Sequence, residues 1–389
     1  MAATAEPGPG LDPATRRITL AAVIACISVF GLTYGLTAPL IALLMARQGA
    51  SDALIGINSA MHAVGILATT FTLPRLAARF GPRRLILAAL ALAVVTLALI
   101  AGTSNYWLWF PLRIVLGSAV NALFVLSETW INQVADEATR GRTMAVYTSS
   151  LSLGFAIGPM ILSMSGIDGW LPFLIAMALI AAAGLTMWPS RVVEPRLGGG
   201  GHRVRWRYMA LAPVAMAIMV LNACLDSAVL SMLPLYAIQH GWPEGRAPLL
   251  VTAFLVGSIA LQYPIGWAAD RLGRRPVMLA CAVASTLLAA GHPLVIAHPA
   301  AAMALEFAWG GLFMGIYTIM LAVVGARFQG GRLVAVYALL SLMWGVGALL
   351  GPMTAGAAMQ ALPPHGLAVY MGAACLAFTL FLWRSRSPA

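Results

Sequence analysis

Four charged side chains lie inside stretches of sequence that are otherwise apolar: Arg113, Glu128, Asp226 and Glu306. Three neutral or nearly neutral polar residues accompany them there: His62, Asn121 and Asn222. A charge at membrane depth costs several kcal/mol, so such residues are functional candidates by default. Because burial disfavours the charged form of a carboxylate, a buried acid can take up and release a proton. These residues predict proton exchange or the recognition of a cationic solute.

Asp226 is the strongest candidate for proton coupling. It lies one helical turn after Asn222, near the centre of its apolar stretch. An acid in this position can bind a proton in one conformer and release it in another, or bind a cationic substrate in exchange. The alternative is a hydrogen bond to a neighbouring helix. His62 can also titrate near neutral pH, although a lone histidine equally fits a packed polar residue.

A polar stripe follows the apolar stretch that contains Arg113. At about 100° per residue, five residues fall within about 80° of one another: Arg113, Gly117, Asn121, Phe124 and Glu128. The other faces of this helix are apolar, so we expect the stripe to face a water-filled cavity rather than lipid. For Glu128 alone, the alternative is a carboxylate at the membrane interface near the helix end.

A second stripe places aromatic residues below a carboxylate at helical spacing, in the order Glu306, Trp309, Phe313, Tyr317 and Met320. Such a surface can stack a flat, apolar or cationic substrate. Packing inside a helix bundle is the alternative for the aromatic residues. Glu306 lies at a depth similar to that of Arg113, which would permit an ion pair between them across the cavity.

The elements that must position these residues are membrane-spanning helices. Hydrophobic residues make up 61% of the chain, charged residues 9%, and the mean hydropathy is +0.89. About 20 apolar residues suffice to cross a bilayer as a helix. The pattern predicts twelve spans: Ile18–Ala46, Ala53–Leu76, Leu85–Gly102, Trp107–Val134, Thr143–Gly166, Leu171–Pro189, Met209–Ile238, Pro248–Ala269, Val277–Ala297, Ala300–Ala326, Leu333–Ala361 and Leu367–Trp383.

The basic residues predict the orientation of these spans. All 23 are arginines, and twenty of them fall on the cytoplasmic side if the N-terminus is cytoplasmic. This bias places both termini inside. This topology also accounts for the net charge of +11, with no need for a nucleic acid partner. We expect the basic face to contact anionic lipid.

The chain divides into two similar halves. We expect a disordered N-terminus over residues 1–17, a six-helix bundle over 18–190, a cytoplasmic linker over 191–208 and a second bundle over 209–389. Residues 141–147 match residues 331–337, and residues 154–159 match residues 347–352. Internal duplication of this kind is typical of transporters that bind substrate between two bundles.

One loop carries the strongest resemblance to a known family. It is similar to the cytoplasmic signature G-x-x-x-D-R-x-G-R-R of the major facilitator superfamily through Gly266, Asp270, Arg271, Gly273, Arg274 and Arg275. The resemblance extends over essentially the whole chain and implies a latch that stabilises one conformer, with Gly266 allowing close helix contact. The first-half copy has Pro74 and Ala78 where Gly and Asp would stand, so we expect the latch to work mainly from the second half.

Two further motifs resemble that family. Arg113 and Gly117 match an R-x-x-x-G motif that the family associates with proton handling. An antiporter motif, G-x-x-x-G-P, is matched twice, by Gly154, Gly158 and Pro159 and by Gly347, Gly351 and Pro352. This second resemblance favours export, as in drug:proton antiporters. Helix packing through small residues is the alternative.

Other classes of protein lack support in the sequence. The four cysteines lie in predicted spans without C-x-x-C spacing, and no phosphate-binding loop, dinucleotide fingerprint or hydrolase motif occurs. We therefore expect no enzyme activity, no metal and no cofactor, with a proton gradient as the energy source. A membrane-embedded enzyme and a non-transporting receptor or regulator are the rival classes.

The sequence thus predicts an all-α integral membrane protein, with twelve transmembrane helices in two pseudo-symmetric bundles. The predicted function is proton-coupled export of a small aromatic or cationic solute, by a monomer in a bacterial inner membrane. Proton-coupled uptake of a nutrient or vitamin-like molecule is the second candidate.

Overall fold

The computed structural model describes residues 12–136, 139–188 and 212–385, and these ranges form thirteen α-helices. The helices are α1 (Pro13–Arg47), α2 (Asp52–Phe80), α3 (Pro82–Gly102), α4 (Tyr106–Val134), α5 (Arg140–Ser165), α6 (Leu171–Met187), α7 (Pro213–Gln239), α8 (Pro248–Ala260), α9 (Gln262–Leu272), α10 (Arg274–Val295), α11 (Pro299–Arg327), α12 (Gly330–Ala361) and α13 (Gly366–Arg384).

These helices make twelve crossings of a membrane. Helices α8 and α9 form one span, since only Leu261 separates them. Within the described ranges, eleven spans are long and apolar enough to cross a bilayer, and the 17-residue α6 is a shorter apolar helix that supplies the twelfth. The two described ends of the chain therefore lie on one side, here termed the termini side, and the α1–α2 connection lies on the opposite side.

The start of α1 shows the largest error in the predicted boundaries, several other helix ends differ by three or four residues, and some predicted ends fall where the structure has no description. Helix α1 begins at Pro13 rather than after Arg17, because the Asp12 side chain accepts a hydrogen bond from the Thr15 amide (3.3 Å) and proline favours the first turn. Residues 1–11 of the predicted tail and the whole predicted linker lie outside the described residues. The predicted ends of the sixth span at Pro189 and of the seventh at Met209 do so as well.

The two halves repeat the same close helix contacts. In the first half, the backbone of Gly117 on α4 lies against the His62 carbonyl of α2. In the second half, Gly310 on α11 lies against the Phe254 carbonyl of α8 in the same way. Only glycine permits so close an approach, because any Cβ atom would overlap the facing backbone. This pairing confirms that the bundles are pseudo-symmetric.

The antiporter-like motifs make a further pair of such contacts. Gly158 on α5 packs against the backbone of α1 at Leu36, and Gly351 on α12 packs against α7 at Cys224. Pro159 and Pro352 lie inside the same helices, one residue after these glycines. The motif therefore serves helix packing in both halves.

The loops on the termini side are also equivalent. Gly81 (φ 80°) and Gly273 (φ 94°) have left-handed backbone conformations that favour glycine, and each precedes a helix. Two residues later, Arg83 donates to the Met187 carbonyl (3.1 Å) and Arg275 to the Ser385 carbonyl (2.6 Å). Carbonyls at helix C-termini lack intrahelical partners, so both arginines brace the last helix of their half.

Polar contacts join the halves on the opposite side. Arg47 at the end of α1 pairs with Glu244 of the second half, and also with Asp168 (2.5 Å) of its own half. Gln239 donates to Asp52 (3.1 Å). We call these five residues the opposite-side clamp, because they hold the two halves together at that end.

The glycine contacts lead to a stability prediction. In Gly351→Ala, the new Cβ would lie 2.6 Å from the Cys224 Cα, so α7 and α12 must separate. We expect a loss of about 1–3 kcal/mol, measured as a lower melting temperature of the purified protein in detergent. Gly325→Ala is the matched control, because nothing lies within 4 Å of its Cβ position. Equal melting temperatures for the two variants would contradict this packing.

Candidate functional site

Four side chains from four helices meet where the first half faces the second. The rings of Tyr34 on α1 and His62 on α2 lie 4.5 Å apart between centroids. Tyr34 also lies within electrostatic range of Arg113 on α4 and of Asp226 on α7. We call Tyr34, His62, Arg113 and Asp226 the seam cluster, since Asp226 alone comes from the second half.

Arg113 is a buried cation in this cluster. Its side chain is 1% exposed, and its Nε and Nη1 atoms have no hydrogen-bond partner among the described residues. The close contact of Gly117 with the His62 backbone brings this part of α4 against α2. His62 is itself buried and lies within electrostatic range of Arg113. A polar group that is buried without a partner loses its hydration without compensation.

Asp226 faces Tyr34 across the seam and keeps a partly exposed side chain. The two residues hold equivalent places in the repeat. Gly154 approaches the Ser28 carbonyl and Gly347 approaches the Val220 carbonyl, and Tyr34 and Asp226 each follow those carbonyls by six residues. One turn before Asp226, the Asn222 amide contacts the Met314 sulfur of α11 (3.8 Å). The site therefore contains an acid without an ion-pair partner among the described residues.

Glu128 lies on the termini side of the seam. It is exposed, and it lies within electrostatic range of Tyr147 on α5 and of Tyr317 on α11. Because those tyrosines belong to different halves, Glu128 stands between the halves. Phe124, one turn closer to Arg113, packs against Phe30 of α1 (5.4 Å between ring centroids).

The predicted α4 stripe does not face a cavity along its whole length. Asn121 is buried, and its amide donates to the Ile66 carbonyl (3.2 Å) and to Thr70 (3.4 Å). Asn121 and Gly117 therefore bind α4 to α2. Helical periodicity places the five residues on one side of α4, but a neighbouring helix occupies part of that side.

The ion pair that the similar depths of Glu306 and Arg113 would permit is absent from the structure. Glu306 instead pairs with His292 of α10, at 2.7 Å between Oε1 and Nε2, and the two side chains are 1% and 2% exposed. The two predicted partners do occupy equivalent places in their halves, because Arg113 precedes Gly117 by one turn and Glu306 likewise precedes Gly310. Of these two equivalent positions, Glu306 therefore has an ion-pair partner within its own half, and Arg113 has none among the described residues.

The aromatic stripe of α11 is mostly packed inside the second half. Trp309 stacks on Phe313 (5.5 Å between centroids) and donates to the Ser285 carbonyl (3.1 Å), and both rings are fully buried. Phe254 of α8 covers Trp309. Bundle packing explains these two residues, whereas Tyr317 is partly exposed near Glu128.

The gating motif makes its contacts within the second half. Arg271 lies over the Trp267 ring (4.3 Å), and Arg274 donates to the Ala322 carbonyl of α11 (3.2 Å). Asp270 is exposed and has no hydrogen bond within the described ranges. The expected close contact at Gly266 is absent here, since nothing lies within 4 Å of its Cβ position.

Comparison with known proteins identifies the family. The sequence model of the Major Facilitator Superfamily matches residues 23–250 and again residues 215–389, which together cover nearly the whole chain. The chain belongs to this family. It is therefore a multi-pass membrane transporter of a small molecule, and not an enzyme.

Relatives and solved structures agree with this assignment. The uncharacterized MFS-type transporter YfkF of Bacillus subtilis is 24% identical over 379 residues, which cover 94% of this chain and 96% of YfkF. YcaD, an uncharacterized MFS-type transporter of Escherichia coli, is 23% identical over 353 residues, covering 89% of this chain and 90% of YcaD.

Two solved facilitator structures share the fold. A bacterial homologue of the human lysosomal transporter Spinster, inward-facing and occupied, has a TM-score of 0.78 at 14% identity, over 97% of this chain and 100% of that one. A D-xylose–proton symporter has a TM-score of 0.75 at 16% identity, over 94% and 98% of the two chains.

The buried pair in the second half gives a prediction that separates stability from transport. Glu306→Ala leaves His292 buried without its partner, and we expect a loss of about 3–5 kcal/mol in stability, measured by melting in detergent. Glu306→Gln keeps a hydrogen bond to His292 and should recover most of that loss and retain transport. If Glu306→Gln folded normally but abolished transport, Glu306 would belong to the transport machinery.

Proposed function

We propose that this protein couples the movement of a small organic solute to protons, by alternating access across a bacterial inner membrane. The observation that carries the proposal is Asp226, a carboxylate on the seam between the two halves. Asp226 has no ion-pair partner among the described residues, and it faces Tyr34 of the other half. A carboxylate there changes its environment whenever the halves move relative to each other.

The orientation follows from the arginines. The arginines described on the termini side include Arg16, Arg79, Arg83, Arg84, Arg271 and Arg274. With that side cytoplasmic, as the positive-inside rule requires, the opposite-side clamp is periplasmic. The present conformation then opens toward the cytoplasm, where Glu128 is exposed.

The coupling step can be followed through Asp226. When the seam closes around this residue, burial favours the neutral carboxylic acid, so closure requires a proton or a cationic partner. When the seam opens to one side, water stabilises the carboxylate and the proton leaves to that side. The energy source is then the proton gradient alone, without a cofactor.

Export is the direction that the two antiporter-like motifs favour, and a monomer embedded in lipid is sufficient for this mechanism. Uptake is the second candidate, because the antiporter-like motifs can be explained by helix packing alone. Gly158 and Gly351 act as helix contacts in this structure, and transport in either direction needs such contacts.

The test replaces Asp226 in protein reconstituted into lipid vesicles. A solute that raises the melting temperature of the purified protein serves as the transport substrate. In Asp226→Asn, we expect accumulation driven by a pH gradient to be lost and exchange of labelled for unlabelled solute to continue, because binding remains while proton release does not. Asp226→Glu is the matched control and should retain coupling. Full gradient-driven accumulation in Asp226→Asn would contradict the proposal.

A further inference from the structure

Arg113 has no counter-ion among the described residues. Its Nε and Nη1 atoms are unpartnered, and the groups within its electrostatic range are Tyr34 and His62, neither of which is an acid. Asp226 lies beyond Tyr34, in the other half. A buried guanidinium presents a fixed fork of donors that matches a carboxylate, and a fork without an acceptor is expensive to keep buried.

Further polar atoms on the facing helix also lack partners. On α2, the Nδ1 atom of His62 is buried and unpartnered. One turn away on the same face, both side-chain polar atoms of Asn58 are unpartnered, and Asn58 is 1% exposed. Buried polar groups in folded proteins are normally hydrogen-bonded, so these atoms are candidate contacts for a ligand.

Aromatic rings lie beside these polar atoms. Tyr34, which stacks on His62, also meets the Phe155 ring edge-on at 5.8 Å. Phe30 contacts both Phe155 (5.8 Å) and Phe124 (5.4 Å). The three phenylalanines come from α1, α4 and α5, and two of them are only partly buried. They form an apolar surface that continues from Tyr34, and Phe155 is the ring of the three that meets Tyr34 directly.

The second half shows how the same fold treats a charge that is structural. At the position equivalent to Arg113, Glu306 has a buried partner within the bundle, His292. Arg113 has none. One Glu306 oxygen, Oε2, is also unpartnered, but Arg113 lacks any charged partner among the described residues and is therefore available to a ligand.

We propose that Arg113 binds the carboxylate of the transported solute, and that the apolar or aromatic body of the solute packs against the rings of Tyr34 and Phe155. The substrate class is then a small organic anion rather than a cation. Arg113 holds the anion on the first-half side of Tyr34, while Asp226 carries the proton on the other side. That the bound solute is also transported rests on the proposed function, whereas binding by Arg113 can be tested without proton coupling.

The experiment measures ligand binding to purified protein in detergent, as a shift in melting temperature and as a dissociation constant. The probes are matched pairs: benzoate and benzamide, phenylacetate and phenylacetamide, indole-3-acetate and indole-3-acetamide, with benzylamine as the cation. The buffer anion is sulfate, and one arm adds chloride alone to detect a site for inorganic anions. The variants are Arg113→Gln, Arg113→Lys and, as the matched control, Arg246→Gln, which removes an exposed arginine.

We expect at least one carboxylate to bind about tenfold or more tightly than its amide, and Arg113→Gln to remove that preference. Arg246→Gln should bind as the wild type does, and Arg113→Lys should bind more weakly because it lacks the fork. If Arg113→Gln does not fold, the carboxylate–amide difference and Arg113→Lys still decide the question.

Four results would overturn the inference: no carboxylate binds, amides bind as well as carboxylates, benzylamine alone binds, or chloride alone produces the Arg113-dependent shift. The proposed proton coupling is tested separately, by transport in Asp226→Asn. Carboxylate binding that depends on Arg113, together with full gradient-driven accumulation in Asp226→Asn, would keep this inference and reject the coupling mechanism. Coupling lost in Asp226→Asn for a neutral or cationic solute would do the reverse.

Discussion

The cost of holding a charge inside an apolar helix bundle organises this protein. An apolar bundle interior solvates charge poorly, so a charged group must find a partner within the protein, reach the interface or remain available to a mobile ligand or proton. Glu306 takes the first course through His292. Arg83 and Arg275 take the second, since they bind the free carbonyls at helix ends on the termini side. Arg113 and Asp226 follow neither course, and they lie at the seam.

The repeat explains how one scaffold supports such different chemistry. Close glycine contacts bring the same helices together in both halves, so the backbone positions are equivalent while the side chains are free to differ. Arg113 and Glu306 occupy one pair of equivalent positions, and Tyr34 and Asp226 occupy another. Because Tyr34 and Asp226 lie within electrostatic range of each other across the seam, the charge of Asp226 affects the electrostatic environment of the first half.

Much of the fold could be predicted from the sequence, because apolar length and duplication are properties of the chain itself. The twelve spans, the two halves and the family signature all follow from those patterns. Residue contacts between helices do not follow. Helical periodicity gives the side of a helix on which Asn121 or Trp309 lies, but it does not tell whether lipid, water or another helix covers that side.

The residues that sequence reasoning missed share a physical cause. Tyr34 and His292 are amphipathic side chains in apolar helices, where each by itself looks like packing. Alignment of the two halves was the available signal for Tyr34, since it occupies the position of Asp226 in the repeat. No such signal existed for His292, whose importance depends on the distance to Glu306. For Gly266, the family motif predicted a close contact that the present conformation does not contain.

The most direct test of this account asks whether the charge of Asp226 governs how the halves are arranged. Spin labels on Cys at Phe80 and Leu272, which are exposed on the termini side in different halves, would report the separation of the halves there by pulsed electron resonance. An asparagine at position 226 removes the desolvation cost of a closed seam, so Asp226→Asn should populate the short distance more than the wild type, with the difference growing as pH rises. Identical distance distributions for the wild type and Asp226→Asn at every pH would contradict the account.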